Sequence, residues 1–213
     1  MMRKITKVVS AALIAMSAIS AVSVAQATAS GMYIGWMLGQ PNYHTQNQTV
    51  FVPVSTTLTP PSSGLGTRFY LGGNFNKYFG MEGGLAYYFS STYKASNGFS
   101  SSVRTKAGSV DLLGKAMFPF AETGFDVFGK FGFASFLSHT GGRVNSVLIP
   151  SSKTTAIRPA LGLGVSYDIN QHWVADLSYT RIFIKSTYVS NPDFIALGIS
   201  YHVLDAVCGQ FLC

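Results

Sequence analysis

The chain is short of charge. Asp, Glu, Lys and Arg make up 11% of its 213 residues, while 47% are hydrophobic. A water-soluble domain of this size would carry about a quarter charged residues, so much of this surface faces something other than water. Long apolar runs are missing too: beyond residue 29 no stretch is long enough for a spanning helix. Cysteine occurs only as Cys208 and Cys213, which excludes a disulfide framework in the body of the chain. In an oxidising compartment those two close a small loop, or else they are free thiols in the tail. His44, His139, His172 and His202 have no metal-ligand spacing, and no metal site or cofactor is expected. Neither a phosphate-binding loop nor a hydrolase elbow is present.

The N-terminus explains part of the formal charge of +7. Arg3, Lys4 and Lys7 precede the apolar run Val8–Val24, followed by the small-x-small sites Ala25-Gln26-Ala27 and Ala27-Thr28-Ala29. This is the layout of a secretory signal peptide over residues 1–29, with cleavage at either site; an uncleaved anchor is the alternative. The remaining 12 Lys and Arg face 8 Asp and Glu. They form no basic run, which argues against nucleic acid as a partner.

What is present is alternation. In Phe194–Tyr201, Ile195, Leu197, Ile199 and Tyr201 share one parity, and Ala196, Gly198 and Ser200 the other. A period of two means strand. Eight such segments can be read: Met32–Asn42, Leu65–Phe75, Phe79–Ser90, Val103–Phe118, Gly124–Leu137, Thr155–Asp168, Trp173–Lys185 and Asp193–Val203. Tight turns (76–78, 119–123, 169–172) alternate with long polar loops (43–64, 91–102, 138–154, 186–192). The first loop, with Pro53, Pro60 and Pro61, is expected to be mobile. An apolar face backed by a narrow polar one, with short turns at one end and long loops at the other, predicts an all-β fold. It is an eight-stranded antiparallel up-and-down transmembrane β-barrel over residues 30–203, with a short periplasmic tail at 204–213.

Parity puts Ile34, Trp36, Phe69, Leu112, Phe131 and Leu163 towards lipid, with no acid on that face and Arg181 reaching for headgroups near the outer end. The inward face holds Arg68, Glu82, Asp111, Lys115, Asp126, Lys130, Arg158 and Asp176, four cations and four acids that are expected to pair. They either fill and rigidify the lumen or act as a gate, and filling is preferred.

Tyr33-Ile34-Gly35-Trp36, Tyr78-Phe79-Gly80-Met81-Glu82-Gly83-Gly84 and Leu197-Gly198-Ile199-Ser200-Tyr201 resemble the membrane domain of the OmpA-like outer-membrane barrels. The resemblance spans about residues 31–203, without a peptidoglycan-binding domain. In that family a central network comes from acids on strands three and six, Lys on strand four and Arg on strand seven. Glu82 and Lys115 match the first and third of those groups. Ser166 and Asp176 stand at the other two positions, with Lys130 and Arg158 as compensating cations. The resemblance implies a Glu82–Lys115 ion pair.

The expected protein is a non-enzymatic, monomeric barrel of the Gram-negative outer membrane. It would serve envelope integrity, with loops for adhesion or recognition; a narrow pore is the alternative. A lipid A-modifying enzyme would use Ser138-His139, but adjacent strand residues point apart. Lys94, Arg104, Lys106, Arg143, Lys153 and Lys185 cluster in or near the long loops. They are either ordinary solubilising charge or contacts for lipopolysaccharide phosphates or an acidic host surface.

Overall fold

The computed structural model describes residues 31–42, 48–52, 54–59, 64–92, 94–95, 102–120, 123–144, 147–184 and 191–203. The signal peptide, the tail with Cys208 and Cys213, and Lys185 lie outside them. In chain order the strands are β1 (Gly31–Asn42), β2 (Gln48–Val52), β3 (Val54–Thr59), β4 (Gly66–Asn74), β5 (Phe79–Thr92), β6 (Lys94–Ala95), β7 (Arg104–Pro119), β8 (Phe125–Val144), β9 (Val147–Asp168), β10 (Trp173–Ile182) and β11 (Asp193–His202). Eight of them close an antiparallel barrel in the order β1-β11-β10-β9-β8-β7-β5-β4. Closure leaves the backbone groups of the wall paired with each other, which a spanning sheet in lipid requires.

Register sets the barrel's shape. From Met37, partners run one way through Arg68, Ala86, Ser109 and Phe136 to Ala156, and the other way through Gly198 and Asp176 to Ser166. The two paths meet on β9 ten residues apart. For eight strands that stagger means a tilt of about 40° and a bore only wide enough for side chains.

Two of the tight turns share one device. Asn76 Oδ1 accepts from the Tyr78 and Phe79 amides, each at 2.8 Å, and Asn170 Oδ1 accepts from those of His172 and Trp173 at 2.9 Å. A short polar side chain thus caps backbone amides that the turn would leave unpaired. In the third turn Gly124 takes φ +73°, a conformation that suits glycine.

At the other end the structure departs from expectation. Residues 138–154 were expected as a loop. Instead β8 runs on to Val144 and β9 begins at Val147, a tall hairpin pairing as far as Val144↔Val147. Above the membrane the outer face meets water instead of lipid, so the hairpin lacks the apolar alternation that marks the strands below, although Thr140 and Val144 on it are buried. The first loop also contains structure: β2 pairs with β3, which pairs with β6 from the next loop.

Candidate functional site

Alternation turns the apolar parity outward on every barrel strand. Leu112 is 59% exposed, Phe131 59%, Leu163 66% and Leu197 64%, values that only a lipid surrounding makes tolerable. The other parity fills the lumen, where glycines make room for large neighbours. Tyr33 lies opposite Gly72, and Tyr70 opposite Gly35, on β1 and β4. Each tyrosine ring occupies the space that a Cβ on the facing glycine would need.

These two tyrosines frame a buried charged layer. Glu82, 1% exposed, accepts from Arg68 at 2.7 Å, from the Lys130 ammonium at 2.8 and 3.0 Å, and from the Tyr33 hydroxyl at 3.2 Å. Arg68 extends the chain by a two-point contact with Asp111 at 3.0 and 2.5 Å. The Tyr70 hydroxyl donates to Asp176 Oδ2 at 2.7 Å, while Asp176 Oδ1 is buried without a hydrogen-bond partner. Aromatic faces hold the cations: Lys130 lies 4.9 Å from the Phe128 ring centre and Arg68 5.3 Å from that of Tyr70.

Glu82 and Lys115 do not form the expected ion pair. Lys115 sits over the rings of Tyr33 and Phe128, at 5.2 and 4.7 Å, and Lys130 takes Glu82. Lys115 and Lys130 face each other across β7 and β8, while Glu82 faces Leu113. On a concave inner wall, side chains from strands further apart converge on the axis, so the lysine two strands away reaches the acid. Arg158 also departs from expectation. It has the inward parity, opposite Ala134, yet it is exposed and joins none of the lumen ion pairs among the described residues. Asp126 is buried near the turn end, opposite Ser166.

Nearer the loop end the lumen turns apolar. Phe136, Ile184, Tyr88, Phe194 and Ile182 are at most 4% exposed, and Ala86, Ala107, Ala134, Ala160 and Ala196 pack with them. The Tyr88 and Phe194 rings meet edge to face at 5.5 Å. Sequence reasoning missed this layer. Its signal lies in the inward parity of Tyr88, Phe136 and Phe194, which break the run of small and charged residues on that face.

The outer face carries one acid after all. Asp193 shares the outward parity of Arg181 and is its direct cross-strand partner. The guanidinium holds the carboxylate at 2.6 and 2.8 Å, instead of standing alone. Ser138, opposite Ala107, takes the inward parity, whereas His139 is exposed on the outer face; the two do not meet. No cluster of three or more potential metal ligands occurs among the described residues. Arg104, Lys106, Arg143 and Lys153 are exposed on the tall β7–β8–β9 wall, and Lys94 belongs to β6.

An uncharacterized protein of Coxiella burnetii (strain RSA 493 / Nine Mile phase I) is 33% identical to the chain, covering 69% of it and 71% of that protein. Among solved structures, Neisserial surface protein A superposes with a TM-score of 0.57 at 14% identity, over 82% of this chain and 99% of that one. OprG from Pseudomonas aeruginosa gives 0.57 at 13% identity, over 82% and 98%. At such identities these two likenesses speak for the fold alone. Residues 11–202 match the outer membrane protein beta-barrel domain, and with the closed eight-stranded wall this places the chain in that family of integral outer-membrane barrels.

Proposed function

We propose that the protein is a non-enzymatic, non-conducting barrel that contributes to the integrity of the outer membrane, with its long loops serving recognition or adhesion outside the cell. One observation carries this reading: the lumen is filled twice over. The layer of Arg68, Lys115, Lys130, Glu82, Asp111 and Asp176 balances three cations against three acids. Above it the layer around Phe136, Tyr88, Phe194, Ile182 and Ile184 is apolar apart from the Tyr88 hydroxyl, which is taken up by Ser109, and holds no charge to receive an ion. An ion would have to break a buried network and then cross an apolar constriction, and each step costs several kcal/mol.

Reconstituted in planar bilayers, the full chain should therefore give no sustained openings. Stable, ion-selective steps would overturn the reading in favour of a narrow pore. Cells lacking the protein should become more sensitive to detergents and to large apolar antibiotics.

A further inference from the structure

The β7–β8–β9 wall carries a row of basic side chains just where its apolar surface ends. Register sets Lys106 opposite His139, and His139 opposite Lys153. All three are exposed, and Arg104 follows two residues beyond Lys106 on the same face, opposite Gly141. Neighbours across strands stand about 5 Å apart, so Lys106 and Lys153, on either side of His139, lie about 10 Å from each other and with Arg104 make one positive patch.

Among the described residues no acid stands beside that patch. Glu82, Asp111, Asp126 and Asp176 face the lumen, Asp168 ends β9 at the far end of the barrel, and Asp193 is held by Arg181. The remaining acids are Glu122, in the connection from β7 to β8, and Asp205, after β11.

Directly beneath the row, the same face continues through Leu137 and Ile157, 44% and 70% exposed, to Phe133 and Leu112 at 57% and 59%. The geometry points to a binding site for the phosphate groups of a phosphorylated glycolipid in the outer leaflet. Lys106, His139, Lys153 and Arg104 take the phosphates, and the acyl chains lie along the apolar wall below. The apolar continuation selects a lipid over a soluble anion, because a free phosphate or a sulfated polysaccharide would make no use of Leu137, Ile157 and Phe133. The site rests on the reading that the loop end faces the cell exterior, as in bacterial barrels generally.

Native mass spectrometry of the full chain in detergent tests the site, with diphosphorylated lipid A, fully dephosphorylated lipid A and inorganic phosphate as probes. The diphosphorylated lipid should be retained and the dephosphorylated form lost, with no displacement by inorganic phosphate. K106Q/K153Q removes two interfacial cations and should weaken retention about thirtyfold. H139Q should weaken it severalfold. K77Q, at the turn end, should leave it unchanged. Equal retention by the parent and K106Q/K153Q, equal binding of the dephosphorylated lipid, or displacement by inorganic phosphate would each overturn the site. All these side chains are exposed, and a retained heat-dependent gel shift verifies that each variant folds. The lumen takes no part, so failure here would leave the conductance result standing, and the converse holds as well.

Discussion

At the scale of single residues, Glu82 is the hub of the lumen. Its two oxygens take Arg68, Lys130 and the Tyr33 hydroxyl, so losing it strands the buried Lys130 and leaves Arg68 with Asp111 alone. Breaking a buried pair from one side costs about 3–5 kcal/mol, and E82A should lower unfolding stability in lipid vesicles by at least that. Lys130 and Lys115 make a sharper comparison, because they face each other across adjacent strands. Lys130 makes an ion pair with Glu82; Lys115 has ring contacts, which are worth about 0.5–2 kcal/mol. K130A should therefore destabilise clearly more than K115A in a denaturant titration. Equal losses would mean that Lys115 shares the acid in the membrane. The inward parity of all these side chains was legible in the sequence, but which cation takes which acid was not. Parity says which side of the wall a residue is on, while pairing depends on how far round the bore it stands.

At the scale of elements, the sequence could be read wherever one face met lipid. The eight barrel strands, their tight turns and their facing all follow from that contrast, as with Ile195, Leu197 and Ile199 against Ala196, Gly198 and Ser200 on β11. Legibility ended where lipid ended. The upper part of the β8–β9 hairpin, with His139, Gly141, Gly142 and Ser151, has no lipid on its outer face and reads as loop even though its ladder continues and Thr140 and Val144 are buried. Deleting residues 141–150 should leave the barrel folded and heat-modifiable, since that segment lies beyond the lumen layers. Placing a cation lower on the same wall has the opposite consequence. L112R, on the band facing lipid, should cost about 2–4 kcal/mol of stability, and the same unfolding titration in vesicles measures it.

At the scale of the whole molecule, the lumen divides into two layers that resist ions by different means. The charged layer is neutral as a set and is held by hydrogen bonds and ring contacts; the apolar layer excludes water by size and chemistry. Opening one alone should not open the barrel. F136A/F194A removes two of the largest side chains of the apolar layer, and bilayer recordings should still show no sustained current. Combined with E82A, it should produce flickering openings. Conduction by F136A/F194A alone would show that the charged layer is already permeable.

The pairing of β1 with β11 joins the first and last strands of the barrel, with Tyr33 beside His202 and stacked on it at 4.8 Å. Every other barrel contact links strands that follow one another along the wall. This seam is the contact of greatest sequence separation, so it can form only after nearly all the chain has been delivered to the membrane. Long-range strand pairing is slow, and until it forms β1 and β11 are two open edges able to recruit other chains. The time between insertion of the hairpins and closure of that seam is therefore the period in which this protein depends most on the cell's assembly machinery.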